Sequence, residues 1–91
     1  MKKPIKIVYS RVAEKEINKL PKNIARRILN KVLDNSQQQD VLYRAKALQG
    51  RLSGKYRYRV GDYRVVFVLD EYGNIVVLTV LTVTHRKDVY R

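Results

Sequence analysis

Residues 55–67 read KYRYRVGDYRVVF, and the fold follows from how this stretch alternates. Tyr56, Tyr58, Val65 and Phe67 take one parity about a central Gly61-Asp62, while Arg57, Arg59 and Arg64 take the other. Gly61 at the first central position favours a two-residue type II′ hairpin turn. Arg59 then lies opposite Arg64 and Arg57 opposite Val66. Side chains alternate along strands, so the three arginines share one face and the aromatic set shares the other, a core to be covered by helices.

Outward from the hairpin, Ile75 to Val83 reads as a third strand, reached through Glu71-Tyr72-Gly73-Asn74. A register pairing Asp70 with Ile75 brings Leu81, Val83 and His85 to the arginine face. At the other end, Pro4 to Tyr9 alternates enough for a first strand. Ser10 caps a helix with Glu14 and Glu16 near its positive end, and Ala13, Ile17 and Leu20 form its narrow apolar stripe. Pro21 suits the first turn of a second helix. Ile24, Ile28 and Val32 form a row there, with Ala25, Leu29 and Leu33 beside it. Polar residues 34–40 end that helix, and Val41 to Gly54 reads as a short turn or helical fragment leading into a loop. The expected class is α+β in the order β-α-α-β-β-β. Two N-terminal helices cover one face of a mainly antiparallel four-stranded sheet in a single domain, 1–91.

The totals narrow the chemistry. Ninety-one residues make one domain with a thin core. The absence of cysteine removes disulfides and thiolate metal sites. The basic N-terminus leads into no unbroken apolar run, so neither a secretory signal nor a bilayer span is expected, and a cytoplasmic location is. Twenty Lys and Arg against eight acidic residues give +12, a field that draws polyanions: nucleic acid first, an acidic protein second, a membrane surface third. The helices read as core-facing rather than as membrane-surface helices.

A solvated outer sheet face also carries basic residues, but this one differs. Its charges are all arginine, whose planar fork matches phosphate, and no acidic residue on the two hairpin strands is placed to pair with them. Arg59 and Arg64 directly opposite each other repel, at a cost of about 0.2–1 kcal/mol that a bound polyanion offsets. The chain ends in His85-Arg86-Lys87-Asp88-Val89-Tyr90-Arg91, adding its only histidine near the same sheet.

Leu48-x-Gly50, then Tyr56-Arg57-x-Arg59-Val60-Gly61-Asp62-Tyr63-Arg64-Val65-Val66-Phe67, then His85-Arg86-Lys87-Asp88-Val89-Tyr90, resembles the RelE family of toxins from type II toxin–antitoxin systems. The resemblance spans nearly the whole chain and implies a RelE-like, microbial-ribonuclease-like fold. It implies a metal-independent endoribonuclease without cofactor, cleaving mRNA in the ribosomal A site against 16S rRNA and inhibiting translation. A cognate acidic antitoxin would hold it inactive. The 2′-hydroxyl would attack the adjacent phosphate, leaving a 2′,3′-cyclic phosphate and a 5′-hydroxyl.

Carried over by position, Arg59 and Arg64 would grip the scissile phosphate. Arg86 would join them and assist the leaving oxygen, and Tyr90 would stack on or orient the nucleotide. Lys46, Arg51, Lys55, Arg57, Lys87 and Arg91 are the expected RNA-binding cations. Some family members carry lysine where this chain has Arg57 and Arg59. Arginine does not give up its proton, so His85 is nominated as acid or base, with Lys55 and Tyr90 behind it. The wider superfamily includes ParE-like toxins that act on DNA gyrase and cut no RNA; that alternative, or a basic module that only binds nucleic acid or antitoxin, leaves His85, Arg86 and Tyr90 without a role. A small DNA-binding protein is a third possibility, but the sequence has no helix-turn-helix pattern.

Overall fold

The computed structural model describes residues 3–87. Strand β1 (Ile5–Tyr9) leads into helices α1 (Arg11–Asn18) and α2 (Lys22–Ser36). A three-residue strand β2 (Ala45–Ala47) and a 3-10 turn (Gly50–Leu52) precede β3 (Tyr56–Val60), β4 (Tyr63–Tyr72) and β5 (Ile75–His85). The strands form one sheet in the order β1-β5-β4-β3-β2, with β1 parallel to β5 and the remaining pairs antiparallel. The α+β class and the mainly antiparallel sheet stand as expected. The sheet has five strands rather than four, because Ala45-Lys46-Ala47 adds itself to the edge of β3. Ala-Lys-Ala alternates, but three residues are too short a run for a strand to be read from it. Among the described residues no helix is long and apolar enough to cross a membrane.

Ser10 caps α1 as its chemistry demands, its hydroxyl accepting from the Ala13 amide at 3.1 Å. Pro21 stands at the N-cap of α2 rather than inside its first turn. That helix runs further than its polar end suggests, since Asn35 and Ser36 are both buried. The Ser36 hydroxyl donates to the Leu33 carbonyl at 2.7 Å, so it enters the interior with its bond made inside the helix.

Ala13, Ile17, Ile28 and Val32 pack from the helices onto Tyr58, Val60, Val65, Phe67, Leu78, Val80 and Val83 of the sheet. The Tyr58 and Phe67 rings stack with centroids 4.4 Å apart. The Tyr58 hydroxyl donates to the Val41 carbonyl at 2.7 Å, which ties the segment after α2 to the sheet. Burial, reinforced by Asp40, pushes that phenol's pKa well up, so it stays a donor. Leu29 and Leu33 are 40% and 49% exposed, so the apolar stripe of α2 is narrower than its sequence suggests.

The register of β5 departs from expectation in a way that matters for the site. The β4–β5 turn is two residues long, Tyr72 pairs with Ile75, and Asp70 pairs with Val77 rather than Ile75. Phe67 pairs with Val80 but Val66 pairs with Thr82, leaving Leu81 as the extra residue of a β-bulge. A single inserted residue reverses which face every later side chain takes. Val83 is therefore buried in the core opposite Val65, and His85 lies opposite Tyr63, while Thr82 and Thr84 fall opposite Val66 and Arg64.

The bulge is held from outside the sheet. Pairing with β1 ends at Tyr9 and Val80. Beyond that point the Ser10 hydroxyl donates to the Leu81 carbonyl at 2.8 Å, and a Glu16 carboxylate oxygen accepts from the Val83 amide at 2.7 Å. Helix α1 thus supplies the partners that a neighbouring strand would have given.

Candidate nucleic-acid interface

The β3–β4 hairpin builds the site. Val60 pairs with Tyr63, so the turn is Gly61-Asp62, with Gly61 at φ +57°. Asp62 has no positive φ, which fits the type II′ geometry and explains glycine at the first position only. Beyond the turn Arg59 faces Arg64 and Arg57 faces Val66. Strand β2 adds Lys46 directly opposite Arg57. On the far side, the Arg86 amide donates to the Asp62 carbonyl at 2.7 Å and fastens the chain after β5 to the hairpin turn.

The result is a cleft of about 260 Å³ lined by Lys46, Leu48, Arg57, Arg59, Gly61, Asp62, Tyr63, Arg64 and Arg86. Five cations share it with one carboxylate. Among the described residues the only ion pair lies elsewhere, between Lys3 and Glu71 at 3.1 Å. The arginines of the cleft therefore have no ion-pair partner among the described residues. The Arg64 Nε is buried with no hydrogen-bond partner, a state that costs about 1–3 kcal/mol while it lasts. Partial burial lowers the pKa of Arg57, and the charges of Arg59 and Arg64 lower it further. Each of these costs shrinks when an anion enters.

Arg57, Arg59, Arg64, Arg86 and Lys46 are brought together. Arg51, Lys55 and Lys87 do not line the cleft: Arg51 is exposed on the 3-10 turn, Lys55 is half-buried just before β3, and Lys87 is exposed beyond β5. Tyr90 and Arg91 lie outside the described residues. His85 is not on the arginine face, as the sequence register had placed it, because the Leu81 bulge turns it to the other side. It meets the Tyr63 ring edge-on, with centroids 5.1 Å apart, and its Nδ1 accepts from the Lys87 amide at 3.1 Å. Asp62 and Leu48, which entered the sequence reading only as parts of the motif, line the cleft without having been expected as site residues. The signal for Asp62 was available, since a hairpin-turn residue two positions before Arg64 must sit at the mouth of the same face.

Residues 7–90 match the model of the ParE toxin of type II toxin–antitoxin systems. The chain belongs to that family. Toxin RelG of Mycobacterium tuberculosis (strain ATCC 25618 / H37Rv) is 28% identical over 88 residues, covering 97% of this chain and 98% of RelG. The toxin–antitoxin complex RelBE2 from Mycobacterium tuberculosis contains a chain of similar fold, with a TM-score of 0.73 and 26% identity. That match covers 94% of this chain and 100% of the other. The archaeal RelE–RelB complex from Pyrococcus horikoshii OT3 gives a TM-score of 0.63 at 25% identity, covering 94% and 97%. The protein is a type II toxin of the RelE/ParE superfamily, and its arginine cleft lies within the matched span.

Proposed function

We infer that this toxin is a ribosome-dependent endoribonuclease of the cytoplasm whose arginine cleft grips the scissile phosphodiester of mRNA in the A site, against 16S rRNA. The observation that carries the reading is the unpaired cation cluster, with the Arg64 Nε buried and unbonded at its floor. RNA brings its own nucleophile. As the 2′-oxygen bonds to phosphorus and the bond from phosphorus to the 5′-oxygen breaks, negative charge builds on the phosphoryl oxygens. Arg59 and Arg64 are aimed where that charge grows, and Arg86 stands beside them to stabilise the leaving 5′-oxygen.

The products are a 2′,3′-cyclic phosphate and a 5′-hydroxyl. His85 does not line the cleft, which supports a route in which the 2′-hydroxyl proton leaves to water and water reprotonates the 5′-oxygen. Catalysis then rests on positioning and electrostatics. Cleavage of free RNA is expected to be poor, and the ribosome is expected to supply the alignment. A cognate acidic antitoxin suits the same cleft, and the similar chains in the RelBE2 and RelE–RelB structures come from such complexes.

One observation favours a second reading. The displacement of His85 from the cleft, with the match to the ParE toxin model, fits a toxin that acts on DNA gyrase without cutting RNA. Primer extension on a translated mRNA, after induction of the wild type and of Arg64→Ala, separates the two. Cuts within codons that disappear in the variant are expected. Intact message accompanied by gyrase-linked DNA breaks would overturn the nuclease reading.

A further inference from the structure

A second cation cluster lies around the corner of the hairpin turn. Helix α2 presents Arg26, Arg27 and Lys31 beside Arg59, Val60 and Gly61, around a cleft of about 480 Å³. Arg59 and Gly61 belong to both clefts. Arg26, Arg27 and Lys31 are exposed. Among the described residues none of them forms an ion pair, although Asp34 lines the same cleft one turn beyond Lys31. The Arg27 guanidinium comes within 3.4 Å of where a Cβ on Gly61 would sit, so this helix side chain lies against the turn that joins the two clefts.

Concentrating cations here costs stability through mutual repulsion, and core packing does not require it, because the buried row of α2 is Ile28, Val32, Asn35 and Ser36. We propose that the α2 cleft is a second phosphate-binding site, which takes the sugar–phosphate backbone of the same RNA strand as it passes around the Gly61 turn from the arginine cleft. Because Arg59 serves both, a ligand filling the second cleft is the continuation of the one in the first. A polynucleotide has that regular series of phosphates, and guanidinium forks on both sides suit it. Asp34 bounds the track at its far end. The inference rests on the RNA reading above and extends the bound strand beyond the scissile phosphate.

The test is fluorescence anisotropy with labelled 2′-O-methyl oligouridylates of three and twelve nucleotides, which bind but lack the attacking hydroxyl. The double variant Arg26→Gln/Lys31→Gln changes two exposed positions to a residue of good helix propensity and leaves Arg27 against the turn. It should weaken the twelve-mer about tenfold and reduce the slope of log affinity against log salt by about 1.4, with the three-mer within about twofold of wild type. Lys31→Gln alone should remove about half of that slope.

A double variant that binds the twelve-mer with the wild-type slope overturns the second site. So does one that loses binding to polyglutamate while keeping the twelve-mer, which would assign the cleft to an acidic protein instead. The first cleft is judged separately. Arg64→Ala should abolish three-mer binding, and retention of that binding would overturn the RNA reading of the arginine cleft while the length dependence still judges the second. Failure of the wild type to bind either oligomer overturns both.

Discussion

The two faces of the β3–β4 hairpin are built from the same two strands and settle their polar groups in opposite ways. On the helix-covered face, Tyr58 enters the core with its hydroxyl already bonded to the Val41 carbonyl. Stacked against Phe67, it is fully buried and internally satisfied. On the other face, Arg57, Arg59 and Arg64 stand together with no carboxylate partner among the described residues, and the Arg64 Nε is buried without a bond there. Val66 on that face is only 7% exposed, so its groups are crowded as well as charged. On the first face the buried phenol has its partner within the chain. On the second an anion would supply the missing partners, which is why one is read as structure and the other is proposed as the functional face.

Substitutions that strike one face and spare the other test this contrast. The largest effect is expected in the core: Phe67→Ala should lower unfolding free energy by about 3–5 kcal/mol, measured by urea denaturation. On the opposite face Arg64→Ala should cut the rate of message cleavage about 10²–10³-fold, measured in a translation reaction, because one preorganised donor to the phosphoryl oxygens is gone. Its stability should be unchanged or higher, and a large loss of stability would erase the distinction between the faces.

Ser10→Ala should cost about 1–2 kcal/mol, since one hydroxyl both caps α1 and satisfies the Leu81 carbonyl at the bulge. The smallest expected effect has the opposite sign. Arg59→Gln should stabilise the free protein by about 0.2–1 kcal/mol by removing a like charge opposite Arg64, while weakening RNA binding. A destabilised Arg59→Gln protein would mean that the arginines support the fold itself.

The alternation in residues 55–67 was enough to place Arg59 across from Arg64 and to separate the arginines from Tyr58 and Phe67. That logic is local, because a two-residue turn fixes the register of both strands at once. The Ser10 cap and the buried Ile28–Val32 row of α2 were legible for similar reasons of short-range pattern. Strand β2 was not, because Ala45 to Ala47 acquires its strand character only by bonding to β3. Nor was the contribution of Lys46 to the cleft derivable from spacing, since it depends on lying opposite Arg57.

His85 marks the boundary between the two kinds of knowledge. The sequence by itself determined a basic, cysteine-free α+β chain and a hairpin with paired arginines on one face, and it raised the expectation of a polyanionic ligand. Composition, parity and charge carry that information without reference to distant residues. The tertiary structure decided which face receives His85. The Leu81 bulge depends on a hydroxyl and a carboxylate delivered by α1, some seventy residues away in the chain. A strand's own pattern cannot announce an insertion whose unpaired groups are satisfied by another element.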